Sequence, residues 1–246
     1  MDRIILQRRA LEVRNQFGVD DTSPIDLVTL VGASLPDLTL VFYPFKEEIS
    51  GMCIRFANLI AINSKSTLGR QAFSIAHELY HYFYDSEKTT LSYITDHNGT
   101  KVEKEANIFA SYLLMPDATF TRLYNKLTNN GKTHIDLKQI LEIEQHFKVS
   151  RSAVLIRLIQ EGYITEEASE QYKTNIIKNA KKYGYDTKLY LPIDADKAKT
   201  FGSYLKLALE LKDSRRISDG KYEEYLLDAY REDIVFDENG QEDIYD

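Results

Sequence analysis

The run Phe73-Ser-Ile-Ala-His77-Glu78-Leu-Tyr-His81-Tyr-Phe83 places a His-Glu-x-x-His spacing inside an apolar, aromatic-flanked segment. On an α-helix of about 3.6 residues per turn, side chains four apart are offset by only about 40°. His77 and His81 therefore leave one face and can share one metal ion. Glu78 stands about 100° round the same helix, near enough to act on an attacking water without being a ligand. Two imidazole ligands with an adjacent carboxylate as general base is the arrangement of zinc hydrolases. Leu68, Ala72, Ile75, Ala76, Leu79 and Phe83 supply an apolar face at helical spacing. Ser66 or Thr67 is expected to cap this helix, which should run over about 67–84.

A catalytic zinc site usually takes three protein ligands and a water. The third is sought in Lys101 to Pro116, helical by pattern, with Pro116 marking its end. Glu103, Asn107, Ala110 and Leu114 fall on one stripe, and a carboxylate heading an otherwise uncharged stripe needs a partner in the core. Asn107, one turn on, can hold a ligand histidine through its second ring nitrogen. Glu105 lies about 200° from Glu103, so both cannot face the metal, and Glu103 is the expected ligand.

Three runs now carry a resemblance. They are Ile62-Asn-Ser64, then Arg70-Gln-Ala-Phe73-Ser-Ile-Ala-His77-Glu78-Leu-Tyr-His81, then Glu103-x-Glu-Ala-Asn107-x-Phe-Ala110-x-x-Leu-Leu-Met115-Pro116. Together they resemble the ImmA/IrrE family of zinc metallopeptidases, and Phe147-Lys-Val-Ser150-x-x-Ala153-x-x-x-Arg157-Leu158 is similar to that family's later helical segment. The likeness extends over roughly residues 1–165. It implies one Zn2+ per chain held by His77, His81 and Glu103, with Glu78 as catalytic base. It further implies an intracellular protein substrate, expected to be a helix-turn-helix transcriptional repressor cut in a phage, mobile-element or stress response. One position departs: family members usually carry Gly where Tyr80 stands, so a ring must be packed beside the ligand helix.

Other elements must position these groups. Residues 2–17 and 24–32 read as helices, the second with Pro24 at its first position. Leu38–Tyr43, Gly51–Phe56 and Leu59–Asn63 read as strands, the last two as a hairpin turning near Asn58. A peptide substrate can add to the edge of such a sheet through main-chain hydrogen bonds. Residues Asp85 to Thr100 are polar and rich in turn formers, a candidate lid or substrate loop. Within it Tyr93 and His97 are candidate contacts to the substrate or its oxyanion. The fold class expected is α+β: a zincin-like domain over 1–165 with a small three-stranded sheet and mainly helices, then a mostly helical accessory region over 166–246.

Residues 136–147 and 150–161 read as two helices joined by a short turn, with Ser150 as N-cap and Gly162 as stop. They resemble a helix-turn-helix. A DNA-reading helix would want a basic face, whereas this one offers only Arg151 and Arg157 behind an acidic first helix. DNA contact is not expected, and the pair is read as packing. Further on, Thr187–Pro192 reads as a strand and 195–211 and 218–231 as helices with apolar stripes, which can pack on the core or bind a partner protein.

Bulk properties narrow the class. The 246 residues are 43% apolar and 28% charged, ordinary for a globular chain. The single cysteine, Cys53, rules out an internal disulfide and fits a reducing compartment; a buried thiol is expected there. No apolar run reaches membrane-spanning length, so no membrane partner and a cytoplasmic location are expected. The net charge is −7, and the stretch Glu232–Asp246 holds seven acids with no Lys or Arg, a solvated tail by composition. Two rival expectations stand beside the peptidase. One is a DNA- or protein-binding regulator acting through 136–162 with a structural or vestigial metal site. The other is a zinc-dependent toxin or antitoxin-like module whose C-terminal helices take a partner.

Overall fold

A computed structural model describes residues 2–46, 48–93, 100–132 and 134–236. His97 and most of the acidic tail therefore lie outside the described residues. Helix α1 (Arg3–Gln16) is capped by the Asp2 side chain. Helix α2 (Leu27–Ser34) follows Asp26, which accepts from Thr29 N. The expected start at Pro24 gives way to this stronger cap, since an Asp carboxylate satisfies a helix-end N–H that Pro cannot.

Among the described residues the sheet has five strands, not three: β1 (Thr39–Tyr43), β2 (Ile49–Ile54), β3 (Leu59–Asn63), β4 (Thr89–Tyr93) and β5 (Lys199–Gly202), in the order β4-β2-β3-β1-β5. The β2–β3 hairpin is antiparallel, β3 runs parallel to β1, and β4 and β5 add antiparallel at the two edges. Asn58, at φ 47°, turns the hairpin. Strand β4 arises inside the segment read as a loop. Its Thr90 and Ser92 alternate inward with exposed neighbours, a polar version of the period-2 pattern that hydrophobicity alone does not reveal.

Helices α3 (Leu68–Tyr84) and α4 (Lys101–Leu114) pack against each other, and α3 lies on β2 and β3. Thr67 occupies the α3 N-cap position without a side-chain bond. Gln71 instead reaches back to the carbonyls of Ser64 and Ser66, at 3.1 and 2.8 Å. Tyr80 is buried between helices. Its hydroxyl donates to Glu105 at 2.9 Å, and its ring meets Phe109 and Tyr84. It thus fills space between α3 and α4.

Helices α5 (Asp117–Leu127), α6 (Leu137–Phe147) and α7 (Arg151–Gln160) complete this half. Ser150 caps α7, and a reciprocal Asp136–Gln139 capping box opens α6. Arg151 and Arg157 are both fully buried: Arg151 pairs with Glu144, and Arg157 reaches Asp117 at 2.8 Å and the Met115 carbonyl at 3.0 Å. Neither is presented to a nucleic acid.

Beyond the short helices α8 (Glu166–Glu170) and α9 (Ile176–Lys182), the expected strand at 187–192 is a 3-10 turn, Lys188–Tyr190. Tyr190 is drawn in because its hydroxyl donates to the buried Glu144 at 2.7 Å. The strand comes later, as β5, where a helix was expected to begin. Gly202, at φ 89°, allows the immediate switch from β5 into α10 (Ser203–Asp213), and a Cβ there would strike the Leu38 carbonyl. Helices α11 (Asp219–Asp228) and α12 (Glu232–Val235) follow, α11 packing on α10. Because β5 pairs with β1, the region after residue 165 contributes to the same sheet as the region before it. No described helix is long and apolar enough to cross a membrane.

Candidate metal centre

Helix α3 carries His77 and His81 toward the first turn of α4, where Glu103 sits. Thr100 caps α4 and its Oγ1 accepts from Glu103 N at 3.3 Å. The Glu103 side chain is thereby free to turn to the histidines, at the helix end whose dipole favours a carboxylate. Its Oε2 is 3.1 Å from His77 Nε2 and its Oε1 3.2 Å from His81 Nε2, and the two Nε2 atoms are 3.2 Å apart. Ligand bonds of about 2.0–2.2 Å in a tetrahedron put donors about 3.3 Å apart. The three side chains thus match the donor spacing of a zinc site, and they are the group of ionisable side chains among the described residues able to hold a metal ion.

Both outer ring nitrogens are occupied. His77 Nδ1 lies 3.0 Å from Asn107 Oδ1, and His81 Nδ1 lies 2.7 Å from Asp85 Oδ2. With Nδ1–H donated to each oxygen, both Nε2 lone pairs face the centre. Asp85 is a partner not expected from sequence, since the segment it opens has the composition of a loop. Its position four residues after His81, one turn on, was the available signal. Asp85 in turn accepts from Glu87 N at 3.1 Å.

The clustered groups shift one another's protonation. Burial works against a charged His81, but hydrogen bonds to Glu103 and Asp85 outweigh it and push its pKa up to about 9. Burial likewise opposes ionised Glu103, yet its contacts to His77 and His81 bring it down to about 2. Asp85 is lowered in the same way, by His81 and the Glu87 N–H, against its desolvation.

Glu78 is the outlier. It is 0% exposed, and neither carboxyl oxygen has a hydrogen-bond partner among the described residues. Burial raises its pKa, opposed by the nearby His77, by the Ser92 hydroxyl, which faces the carboxyl without meeting hydrogen-bond geometry, and by His81. Its Oε1 sits over Gly51, which pairs in register with Ser92 across β2 and β4. A Cβ on residue 51 would lie 2.9 Å from that oxygen. Gly51→Ala is therefore expected to displace the carboxyl by a fraction of an ångström to an ångström. For a hydrolase using Glu78, activity should fall about 10²-fold, the scale of a misplaced reacting group, with the metal content unchanged. Steady-state kinetics beside metal analysis checks this, and an unaltered kcat would show that the close approach has no catalytic consequence.

The centre opens into a cleft of about 420 Å³ walled by Phe73 and Ser74 of α3, Asn107 and Ile108 of α4, and Ala153 and Ile156 of α7. Tyr93, at the end of β4 and 50% exposed, lines it too. Tyr80 is not among its walls. Helix α7 reaches the cleft because Gly69 lets α3 touch the Ser150 backbone, where a Cβ would clash at 2.6 Å. Gly69 was not singled out from sequence; nothing but the contact reveals it.

A helix-borne His-Glu-x-x-His joined by a carboxylate from a second helix, beside a sheet edge, has the layout of a metallopeptidase centre. The model of a peptidase family described as the IrrE N-terminal-like domain matches residues 34–159, which is 126 of the 246 residues, and the chain belongs to that family. No curated protein matches it. The matched segment runs from the end of α2 to α7, and so includes the three clustered residues, Glu78, Asn107 and Asp85.

Proposed function

We propose that this protein is a zinc-dependent endopeptidase acting on a protein substrate. The observation that carries the reading is the fully buried, unpartnered Glu78 beside three converging donor atoms. A structural metal site has no use for such a carboxyl, because burying an unpaired one costs several kcal/mol. His77, His81 and Glu103 would hold Zn2+, which when bound polarises the scissile carbonyl and acidifies a water. Glu78 takes the proton of the attacking water and delivers it to the leaving amine. Burial, which raises its pKa, favours its holding the proton between the two transfers. Asn107 and Asp85 fix the histidine rings.

The substrate adds as an extended strand to the edge of β4 that no described strand covers, beside the cleft. Tyr93 then stands where a hydroxyl can reach the substrate or its developing oxyanion. A helix-turn-helix repressor is the protein substrate that the family resemblance suggests. The cytoplasm is the compartment that a reducing environment for Cys53 suggests, and Cys53 is buried with burial, then Glu78, raising its thiol to about 12.

Incubation of the zinc-loaded protein with a candidate repressor, followed by mass spectrometry of the products, tests the reading. A single defined cut supports it, and an intact repressor with the metal in place counts against that substrate. Asn107→Ala offers a milder check. It should weaken zinc binding about 10–100-fold by freeing the His77 ring, read by competition with a chelating dye. At saturating zinc most of the activity should return. Wild-type affinity in this variant would remove Asn107 from the site.

A further inference from the structure

The cleft has a charge pattern that the metal chemistry does not use. Its lining includes two cations outside the metal cluster, Arg70 on α3 and Lys104 on α4, and among the described residues its one carboxylate is Glu103, already engaged with both histidines. This occurs in a chain with a net charge of −7. Neither cation forms an ion pair among the described residues, although other surface cations do, as Lys173 does with Glu170 and Lys221 with Glu224. On the far side of Arg70 a second cavity shares Arg70, Ser150 and Ser152 with the first. It adds Lys178, and Lys173 with its partner Glu170, and among the described residues no Asp or Glu lines it. The path leading from the metal centre past Arg70 therefore carries cations and hydroxyls beside its apolar patches.

Spacing sets where along a substrate this matters. Arg70, Phe73 and His77 recur at i, i+3 and i+7 on one face of α3, so Arg70 stands about 10 Å along the axis from His77. An extended peptide advances about 3.3 Å per residue. A group held by Arg70 is then about three residues from a bond cut at the centre. Between them Phe73, Ile108 and Ile156 offer an apolar seat.

We propose that the cleft selects a substrate segment in which an apolar side chain seated on Phe73, Ile108 and Ile156 is followed, about three residues from the scissile bond, by an Asp or Glu held by Arg70. This rests on the peptidase reading and adds a substrate class to it. Lys104 reinforces the preference across the cleft. Arg70 is a specificity residue: its fork of N–H donors suits a carboxylate held bidentately.

The test uses the full-length protein without metal, so that binding is read apart from turnover. Two fluorescein-labelled peptides with the same apolar residue are compared by anisotropy, one carrying Asp-Glu and the other Asn-Gln at the outer positions. The acidic peptide should bind about tenfold more tightly, the scale of one charge-assisted hydrogen bond, and should lose that margin in high salt. Arg70→Glu, checked for folding by circular dichroism, should abolish the margin, and Arg70→Lys should retain part of it. Equal affinity for the two peptides, or an unchanged margin in Arg70→Glu, overturns the proposal. So does displacement of the acidic peptide by a single-stranded oligonucleotide at equal or lower concentration, which would make the groove a general polyanion site. Cleavage of a peptide library by the zinc-loaded protein separates the two layers. Cuts without acidic enrichment defeat this inference and leave the peptidase standing, whereas acidic binding with no cuts defeats the peptidase reading alone.

Discussion

Glu78→Gln is expected to keep the fold and the zinc while lowering peptide cleavage by about 10²–10⁴-fold, the usual contribution of a positioned proton-transfer group. Glutamine matches glutamate in size, so the contact with Gly51 and the packing on β2 are preserved. It cannot take a proton from the attacking water. The variant also separates catalysis from stability. Glu78 is wholly buried with both oxygens unpaired among the described residues, and burial is the leading cause of its raised pKa. A neutral amide is easier to bury than a carboxylate, so the melting temperature should hold or rise. A residue kept for folding would behave in the opposite way. Three readings on one preparation decide the matter: kcat on a cleaved substrate, zinc per chain and the thermal midpoint. Wild-type turnover in the Gln variant would remove Glu78 from the chemistry.

Arg157→Ala is expected to cost stability without any direct contact to the centre. The side chain is fully buried, donates to the Met115 carbonyl at the end of α4, meets Asp117, and lies 4.2 Å over the Tyr112 ring and 4.8 Å over Phe120. Truncation leaves a cavity, an orphaned carbonyl and a Glu161 carboxylate without the cation that stands 2.9 Å from it, together about 3 kcal/mol or more. Asp117 is 36% exposed along its side chain, so water can take over that partner and its share of the loss is small. For a chain of this size about 3 kcal/mol corresponds to a fall of roughly 6–12 °C in the melting temperature. Arg157→Met, which restores volume but not donors, should fall between. The same variant discriminates against the regulator reading. An arginine kept for DNA would be exposed, and its loss would weaken DNA binding while leaving the melting temperature unchanged.

Much of this site could be read from residue spacing. The four-residue interval of His77 and His81, the adjacent Glu78 and the stripe headed by Glu103 are helix geometry written directly in sequence, because helices α3 and α4 are long and amphipathic. Asp85 was equally accessible, one turn beyond His81, and was missed because its segment was read as polar loop. The edge strand β4 was hidden for a related reason. Thr90 and Ser92 turn hydroxyls inward, so no alternation of apolar residues announced it. Strand β5 and the 3-10 turn at 188–190 depend on partners far away in the chain, β1 for one and Glu144 for the other, and local propensity carries no trace of either. Gly51 and Gly69 belong to the same class. Their meaning lies in what approaches them, the Glu78 carboxyl and the start of α7. The roles of Arg151 and Arg157 were half legible: the acidic helix before them argued against DNA, but only the fold supplies their buried partners.

The proposed chemistry depends on His77, His81 and Glu103 closing round one divalent ion, and X-ray absorption at the zinc edge of protein dialysed against metal-free buffer tests this most directly. The predicted result is one zinc per chain with two imidazole nitrogens and carboxylate oxygen at about 2.0–2.2 Å, with most of the zinc lost in Glu103→Ala. A wild-type protein that retains no zinc, or one whose zinc shell is unchanged in Glu103→Ala, would contradict it.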